Sequence, residues 1–203
     1  QAIHNIDAFA WIFGLPQSLR AWCKFGKYHN IEVEDEVTCY MEYPENMTAT
    51  FITSSGEHPG SNRFEISGDK AYVVSEDGKL KIHKFVGGSL REFTLDTKYA
   101  FGTPETVETV EEFEGKGGQH AEVMNNFVSA CLGKSKCDYD ASQGVLSLTL
   151  ANAMLLSSFK NSEISVPFDD ELYAKILAEK QASSELRKEV RKDFILDFKK
   201  SFR

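Results

Sequence analysis

Residues 37–52 read VTCYMEYPENMTATFI, and this stretch decides the fold class. Its first half alternates, so that Val37, Cys39 and Met41 point to one side and the residues between them to the other. Alternation with a period of two is typical of a β-strand, whose successive side chains face opposite sides of a sheet. A second alternating run follows residues 44–46, which include a proline. The stretch therefore predicts an antiparallel hairpin with a short connection.

The same period extends outward from this hairpin, from Ser18 to about Phe93. Because the connections are too short for parallel crossovers, we expect an antiparallel meander. A further strand, flanked by loops, is expected within Thr103–Gly118. The other predicted strands are Leu19–Phe25, Phe64–Ser67, Ala71–Ser75, Leu80–Lys84 and Leu90–Thr94.

Helices are predicted before and after these strands in the sequence, because the apolar residues of those segments recur at helical spacing. The first helix, Gln1–Phe13, is closed by Gly14 and Pro16. The helix at His120–Leu132 is expected to bury its apolar residues, and the one at Ala141–Lys160 is expected to be buried on several sides. A short strand at Glu163–Pro167 then precedes a helix over Glu171–Glu179 that Asp169 is placed to cap.

The order helix, strands, helices predicts an α+β fold, an open, predominantly antiparallel β-sheet covered on one face by helices. The other sheet face carries aromatic and polar residues and is expected to pack on a second subunit. We expect one domain over residues 1–183 and a charged amphipathic helical tail over 184–203. The apolar stripe of this tail is Leu186, Val190, Phe194 and Phe198.

Composition excludes several classes of function. The 203 residues are 41% hydrophobic and 27% charged, as in an ordinary globular protein. A net charge of −8 argues against a nucleic-acid partner, and no run of residues is apolar enough to span a membrane. The four cysteines lack metal-ligand spacing, so we expect no metal site and reduced, mostly buried thiols in a cytoplasmic protein. A chain that starts at Gln1 suggests an excised or processed piece.

Three segments hold candidate site residues. His4 and Asp7 are three residues apart, so they share one helix face, where a carboxylate can orient an imidazole suited to proton transfer. Residues 53–63 form a polar loop of the kind that binds hydroxyl groups, and His29 is a candidate to face a cleft. The alternatives are a surface ion pair on the helix, a solvent-exposed loop, a solvated acidic strand entry at residues 32–36, and a surface or core histidine.

Residues 4–16, HNIDAFAWIFGLP, resemble the start of the C-terminal domain of Gfo/Idh/MocA oxidoreductases. That family has an Asp or Asn, then a His, then an Asp three residues further on, followed by an aromatic-apolar helix that ends in Gly-x-Pro. His4 and Asp7 match the last two members of this pattern, and the first would fall immediately before Gln1. Further similar segments are residues 31–35, 62–69, 125–133, 143–158 and 166–167.

The resemblance implies a fold like the C-terminal domains of dihydrodipicolinate reductase and glyceraldehyde-3-phosphate dehydrogenase. It implies NAD- or NADP-dependent oxidation or reduction of a secondary alcohol in a sugar, inositol or related polyol. By this resemblance His4 would transfer the proton and Asp7 would bind a neighbouring hydroxyl of the substrate. His29, and Asn62 and Arg63 of the polar loop, are the further candidates for contact with the substrate.

The resemblance also implies partners. The nucleotide-binding Rossmann domain of the family lies N-terminal to this region, so we expect no cofactor in this chain, which alone would be inactive. Sheets of the family pack face to face, which implies a homo-dimer or tetramer.

Two other functions stay open at this point. The same fold can serve as a non-catalytic sugar-binding, regulatory or scaffold module, because a fold does not determine chemistry. The chain can also be a structural protein whose tail at residues 184–203 binds a partner helix. The identity of the substrate is not encoded in any motif of this sequence.

Overall fold

The computed structural model describes residues 2–113 and 117–185. The α+β prediction is confirmed, with helices and antiparallel strands in the same chain. Short turns of 3₁₀-helix lie at Pro44–Asn46 and Ala141–Gln143. The strands are β1 (Ser18–Phe25), β2 (Glu34–Glu42), β3 (Thr48–Ser54), β4 (Phe64–Ser67), β5 (Ala71–Glu76), β6 (Lys79–Phe85), β7 (Thr106–Glu112) and β8 (Ile164–Ser165), and the helices are α1 (Ile3–Phe13), α2 (Leu90–Asp96), α3 (Gln119–Cys131), α4 (Gly144–Lys160) and α5 (Asp170–Ala182).

The strands divide between two four-stranded antiparallel sheets, each belonging to its own compact unit. Of the described residues, 2–56 and 141–185 form the first unit, and those between 57 and 140 form the second. The predicted meander is therefore present as two shorter meanders. The tail predicted for residues 184–203 lies outside the described part of the chain, apart from Ser184 and Glu185.

The first sheet has the strand order β3-β2-β1-β8. Cys39 in β2 lies opposite Ala21 in β1 and Phe51 in β3, which fixes the register of the hairpin. The predicted alternation is confirmed, because Val37, Cys39, Met41 and Tyr43 are all buried. Burial of alternate residues places one face of this sheet in the core of the first unit.

Helices α1 and α4 cover that face. Helix α1 packs against α4, and α4 packs against β1. Leu150 and Leu156 of α4 are almost completely shielded from solvent, as is Leu19 of β1. Asp169 is the N-cap of helix α5, and its side chain accepts a hydrogen bond from the backbone N–H of Leu172 (3.0 Å), so the predicted cap is confirmed.

Two serine hydroxyls of α4 complete the outer edge of β1. Strand β8 pairs with β1 only at Ser18 and Leu19. Beyond β8, the backbone N–H of Ala21 donates to the Ser157 hydroxyl (2.9 Å), and that of Cys23 donates to the Ser158 hydroxyl (3.0 Å). Main-chain donors that another strand would otherwise satisfy are thus satisfied by helix side chains.

The second sheet has the order β4-β5-β6-β7. The strand predicted at Leu90–Thr94 is wrong, since this segment belongs to α2. Ser89 and Glu92 form a capping box there: the Ser89 hydroxyl accepts from the Glu92 N–H, and the Glu92 carboxylate accepts from the Ser89 N–H. Two donors of the first helical turn are satisfied in this way, which stabilises helix over strand.

The burial predicted for two helices is partly wrong. The apolar residues of α3 are exposed, although the helix itself forms where predicted. At the start of α4, Val145, Leu146 and Leu148 are also exposed, so this helix is buried along one side only. The exposed residues on α3 are Val123, Met124, Phe127, Val128 and Cys131.

The cysteines are all free, but only two are buried as predicted. Burial raises the pKa of the Cys23 thiol to about 11 and that of the Cys39 thiol to about 12, so both are protonated at neutral pH. Cys131 and Cys137 are exposed, contrary to the prediction. Among the residues that the structure describes, no helix has the length and apolarity needed to cross a membrane.

Candidate functional site

One face of α1 is occupied by the core and the opposite face by candidate site residues. Ile6, Phe9 and Ala10 are buried. His4 and Asp7 are exposed and lie about one turn apart, roughly opposite this buried stripe given about 100° of rotation per residue. The helix thus holds an imidazole and a carboxylate side by side at the surface.

Trp11 continues the exposed face of α1. It follows His4 by seven residues and Asp7 by four, so the three side chains form one stripe, and Trp11 is 84% exposed. A large apolar side chain beside two titratable groups is typical of a surface that another domain or subunit covers.

A second cluster forms where the connection between β1 and β2 folds back. The Asp35 side chain is completely shielded from solvent and accepts backbone N–H hydrogen bonds from Lys27 (3.0 Å), Tyr28 (2.7 Å) and His29 (3.1 Å). Burial alone would raise the pKa of this carboxyl, but the three N–H donors and the nearby His29 ring outweigh it, and the pKa lies below its usual value. Asp35 therefore fastens the loop in its ionised form.

Gly26 makes the reversal of this loop possible. Its φ of 61° lies in the left-handed region, and a side chain at this position would collide with the carbonyl oxygen of Ile31. The Gly26 N–H donates to the carbonyl of Val33 (3.3 Å), which brings the two ends of the loop together.

Asp35 and Ser55 hold the ring of His29. Its Nδ1 lies 3.4 Å from the Asp35 carboxylate and 3.3 Å from the Ser55 hydroxyl, which in turn donates to the Asp35 carbonyl (3.3 Å). The His29 side chain is 46% exposed. With Nδ1 held on the protein side, Nε2 is the ring atom free to meet a ligand hydroxyl.

Lys27, Tyr28 and Glu36 form the outer part of this cluster. Lys27 pairs with Glu36, the Tyr28 hydroxyl donates to the same carboxylate (3.0 Å), and the Lys27 ammonium lies 4.6 Å from the Tyr28 ring centre. The hydrogen bond from Lys27, followed by that from Tyr28, lowers the pKa of Glu36. The Tyr28 ring packs directly on Gly56, where a side chain would have no room.

A cavity of about 140 Å³ lies beneath this cluster, between the covered sheet face and helices α1 and α4. That volume accommodates a group about the size of a benzene ring. Ile6 of α1 and Ala2, the residue just before the helix, lie in its wall, so His4 and Asp7 lie on the other side of the helix. The rest of the wall consists of Cys23, Glu34, Asp35, Glu36, Val37, Phe51, Thr53, Ser54, Ser55, Ala151, Met154 and Leu155.

The remaining candidates, Asn62 and Arg63, belong to the second unit. Arg63 forms ion pairs with Glu65 and Glu76 (2.5 Å to the latter), and these carboxylates raise the pKa of its guanidinium above the usual value. The structure therefore brings His4 together with Asp7 and places His29 in a separate cluster of the same unit. The charge of Arg63 is paired with neighbouring carboxylates.

Sequence reasoning missed Asp35, Tyr28 and Ser55. The acidic run at residues 32–36 was interpreted as a solvated strand entry, which is wrong for Asp35. One signal was present, because the alternation of Val37 and Cys39 extends back to position 35 and places it on the buried face. A buried aspartate at the start of a strand requires donors, and the preceding loop supplies them.

Asp35→Asn is expected to lower the thermal unfolding midpoint by several degrees at pH 7, because an amide cannot accept all three N–H groups as well as a carboxylate. Since the folded-state pKa is lowered, the stabilisation is present above the unfolded pKa and is lost as pH falls through the folded pKa. The variant should therefore lose stability less steeply than the parent between pH 5 and pH 2. Circular dichroism melts across that range measure this.

Asp77→Asn is the matched control, because Asp77 is exposed in the turn between β5 and β6, where its φ of 52° suits either residue. Equal melting curves for the Asp35 and Asp77 variants would contradict a role for the buried carboxylate.

The described residues contain no group of three or more His, Cys, Asp or Glu side chains that could hold a metal ion. The sequence also has no glycine-rich dinucleotide motif. The chemistry that these residues can perform by themselves is hydroxyl binding and proton transfer, at His4 with Asp7 and at His29.

A family model described as "Oxidoreductase family, C-terminal alpha/beta domain" matches residues 1–167. The chain belongs to the Gfo/Idh/MocA oxidoreductase family. The match includes α1 with His4 and Asp7 and ends at Pro167, before α5. A search of curated protein sequences found no match to this chain.

Several solved structures of dehydrogenases are similar in fold to this chain. The WlbA dehydrogenase of Bordetella pertussis, in complex with NADH and UDP-GlcNAcA, matches 83% of this chain and 46% of its own at 18% identity and a TM-score of 0.57. The WlbA dehydrogenase of Chromobacterium violaceum, with the same two ligands, matches 83% and 45% at 22% identity and 0.58. A levoglucosan dehydrogenase in complex with NADH and L-sorbose matches 83% and 49% at 17% identity and 0.55.

At these identities the likeness establishes the fold. The chain spans about half the length of the solved structures that it matches.

Proposed function

We propose that this chain is the substrate-binding and oligomerisation domain of an NAD- or NADP-dependent oxidoreductase that acts on a sugar, inositol or related polyol. The observation that carries the proposal is the stripe of His4, Asp7 and Trp11 on the uncovered face of α1. The family supports the oxidoreductase chemistry. The solved structures with NADH and a sugar or sugar nucleotide support the substrate class.

His4 and Asp7 would have different roles in the reaction of a secondary alcohol. A nicotinamide cofactor, held by a nucleotide-binding domain, supplies the acceptor for the hydride that leaves the carbon. A ring nitrogen of His4 accepts the proton of the reacting hydroxyl as the carbonyl forms, and Asp7 accepts a hydrogen bond from a neighbouring hydroxyl. Trp11 would exclude water from the same face.

Oligomerisation is proposed for the outer face of the first sheet. Trp22 and Ile52 flank Thr38 across three strands and are 48% and 66% exposed, and Tyr40 beside them is 41% exposed. The Arg20 guanidinium lies 4.9 Å from the Trp22 ring centre. Aromatic and arginine side chains on an exposed, otherwise polar sheet face are typical of protein interfaces. The four free cysteines support a reducing compartment such as the cytoplasm.

The proposal is tested on the protein that carries this chain together with a nucleotide-binding domain. It is incubated with NAD⁺ or NADP⁺ and a panel of free sugars, inositols and nucleotide sugars, and formation of reduced cofactor is followed by absorbance. We expect reduction of one cofactor that depends on at least one member of the panel. Binding of a sugar without any hydride transfer would instead favour the non-catalytic binding module.

A further inference from the structure

The described chain ends against the loop between β1 and β2. The Glu32 carboxylate accepts hydrogen bonds from the Ser184 hydroxyl and, at 3.0 Å, from the backbone N–H of Glu185. These contacts join positions about 150 residues apart in sequence. They place Glu185, the last residue that the structure describes, at this loop.

The surface around Glu32 is both apolar and acidic. We define the exit surface as Phe25, Ile31, Glu32, Val33 and Glu34. Val33 is 58% exposed, and Phe25 and Ile31 are exposed to a lesser degree. Within the described residues, the only ring stacked on Phe25 is that of Phe159 (5.6 Å between centres), and the two acidic side chains are exposed.

The exit surface is held in place rather than loosely attached. Asp35 fastens the N–H groups of residues 27–29, and the Gly26 N–H closes the base of the loop on Val33. A surface that keeps its shape before binding loses less conformational entropy when a partner binds.

Residues 186–203 complement this surface in sequence. They contain seven Lys or Arg against three Asp or Glu, whereas the whole chain has 23 against 31. Leu186, Val190, Phe194 and Phe198 recur every fourth residue, which predicts one apolar stripe if the segment is helical. Such a stripe, flanked by cations, fits an apolar surface edged by carboxylates.

We propose that residues 186–203 of this chain bind the exit surface, with their apolar stripe on Phe25, Ile31 and Val33 and their cations beside Glu32 and Glu34. As a helix, 18 residues would span about 27 Å, so the segment also reaches beyond the loop. The proposal does not depend on catalysis by His4.

Hydrogen–deuterium exchange on the full 203-residue chain tests this contact. In the parent, backbone amides between Leu186 and Phe198 should exchange more slowly than in a free peptide of residues 184–203. Ile31→Ser combined with Val33→Ser removes apolar contacts, so exchange of those amides should become faster by about tenfold or more. Val86→Ser is the matched control, because Val86 is 48% exposed in the second unit and should leave the exchange unchanged.

A second variant tests the segment from its own side. Phe194→Ser should increase exchange across residues 186–198 to the same extent as the double change, without altering the melting temperature of the rest of the chain. Peptide-like exchange in the parent would overturn the proposal, and so would protection that persists in both variants. Protection that appears only above a threshold protein concentration, or only with vesicles of anionic phospholipid, would overturn it in favour of a second copy or a membrane surface.

Discussion

Replacing His4 by alanine is expected to lower the turnover of the enzyme that carries this chain by about 10²- to 10⁴-fold. The side chain stands on the exposed face of α1, so its removal opens no cavity in the core. The loss would come from the proton acceptor alone. Steady-state kinetics of alcohol oxidation by the parent and the variant measure this loss.

Asp7→Asn separates binding from proton transfer on the same face. If Asp7 holds a neighbouring hydroxyl, this change should raise KM more than it lowers kcat. Gln17→Ala, an exposed position after the end of α1, should leave both constants near the parental values. Parental turnover in the His4 variant would contradict its catalytic role and leave the stripe on α1 as a binding surface.

Leu150→Ala is expected to lower the free energy of unfolding by about 2–5 kcal/mol. Leu150 is completely shielded from solvent in the middle of α4, the helix that packs on both α1 and β1. Truncation removes apolar contacts and leaves a void that the surrounding helices and sheet can fill only in part. Urea denaturation followed by circular dichroism measures the change.

Leu148→Ala, two residues earlier in the same helix, is the control. Leu148 is 57% exposed, so its truncation should change the free energy of unfolding by no more than about 0.5 kcal/mol. Both substitutions alter helix propensity equally, and the difference between them therefore reports burial. Equal losses of unfolding free energy in the two variants would show that α4 does not pack on the rest of the chain through the face that carries Leu150.

The first sheet was predictable because its alternation is long and one face is buried. Val37, Cys39 and Met41 fix both the register and the buried face, and the same pattern predicts the partner runs on either side. The division into two sheets was not predictable, because alternation identifies the faces of a strand and not its neighbours.

Other differences arise from local and long-range chemistry. Ser89 and Glu92 carry the capping-box signature, and this signal outweighs the short apolar pattern that suggested a strand. Helix α3 forms where its periodicity predicts it, but periodicity does not say whether another element covers its apolar residues, and the predicted burial is wrong. In the described second unit, Met124 and Phe127 remain exposed.

The candidate site was predictable only in part. His4 and Asp7 follow from their spacing and from the family resemblance. Asp35 escaped notice because its three donors lie in a loop whose reversal depends on the positive φ of Gly26, a property with little trace in sequence. When a charged residue lies at the start of a strand, the alternation of buried and exposed positions along that strand indicates whether its side chain is solvated.

The hydroxyls of Ser157 and Ser158 also bear on how copies of this protein can aggregate. An exposed strand edge offers unpaired N–H groups that a misfolded neighbour can extend into a continuous ribbon. Past β8, the outer edge of β1 presents donors that a helix of the same chain already engages, so ribbon growth is blocked on that side. On the other side of the first sheet, β3 pairs only with β2 among the described residues, so growth from this sheet would have to start along Thr48–Ser54.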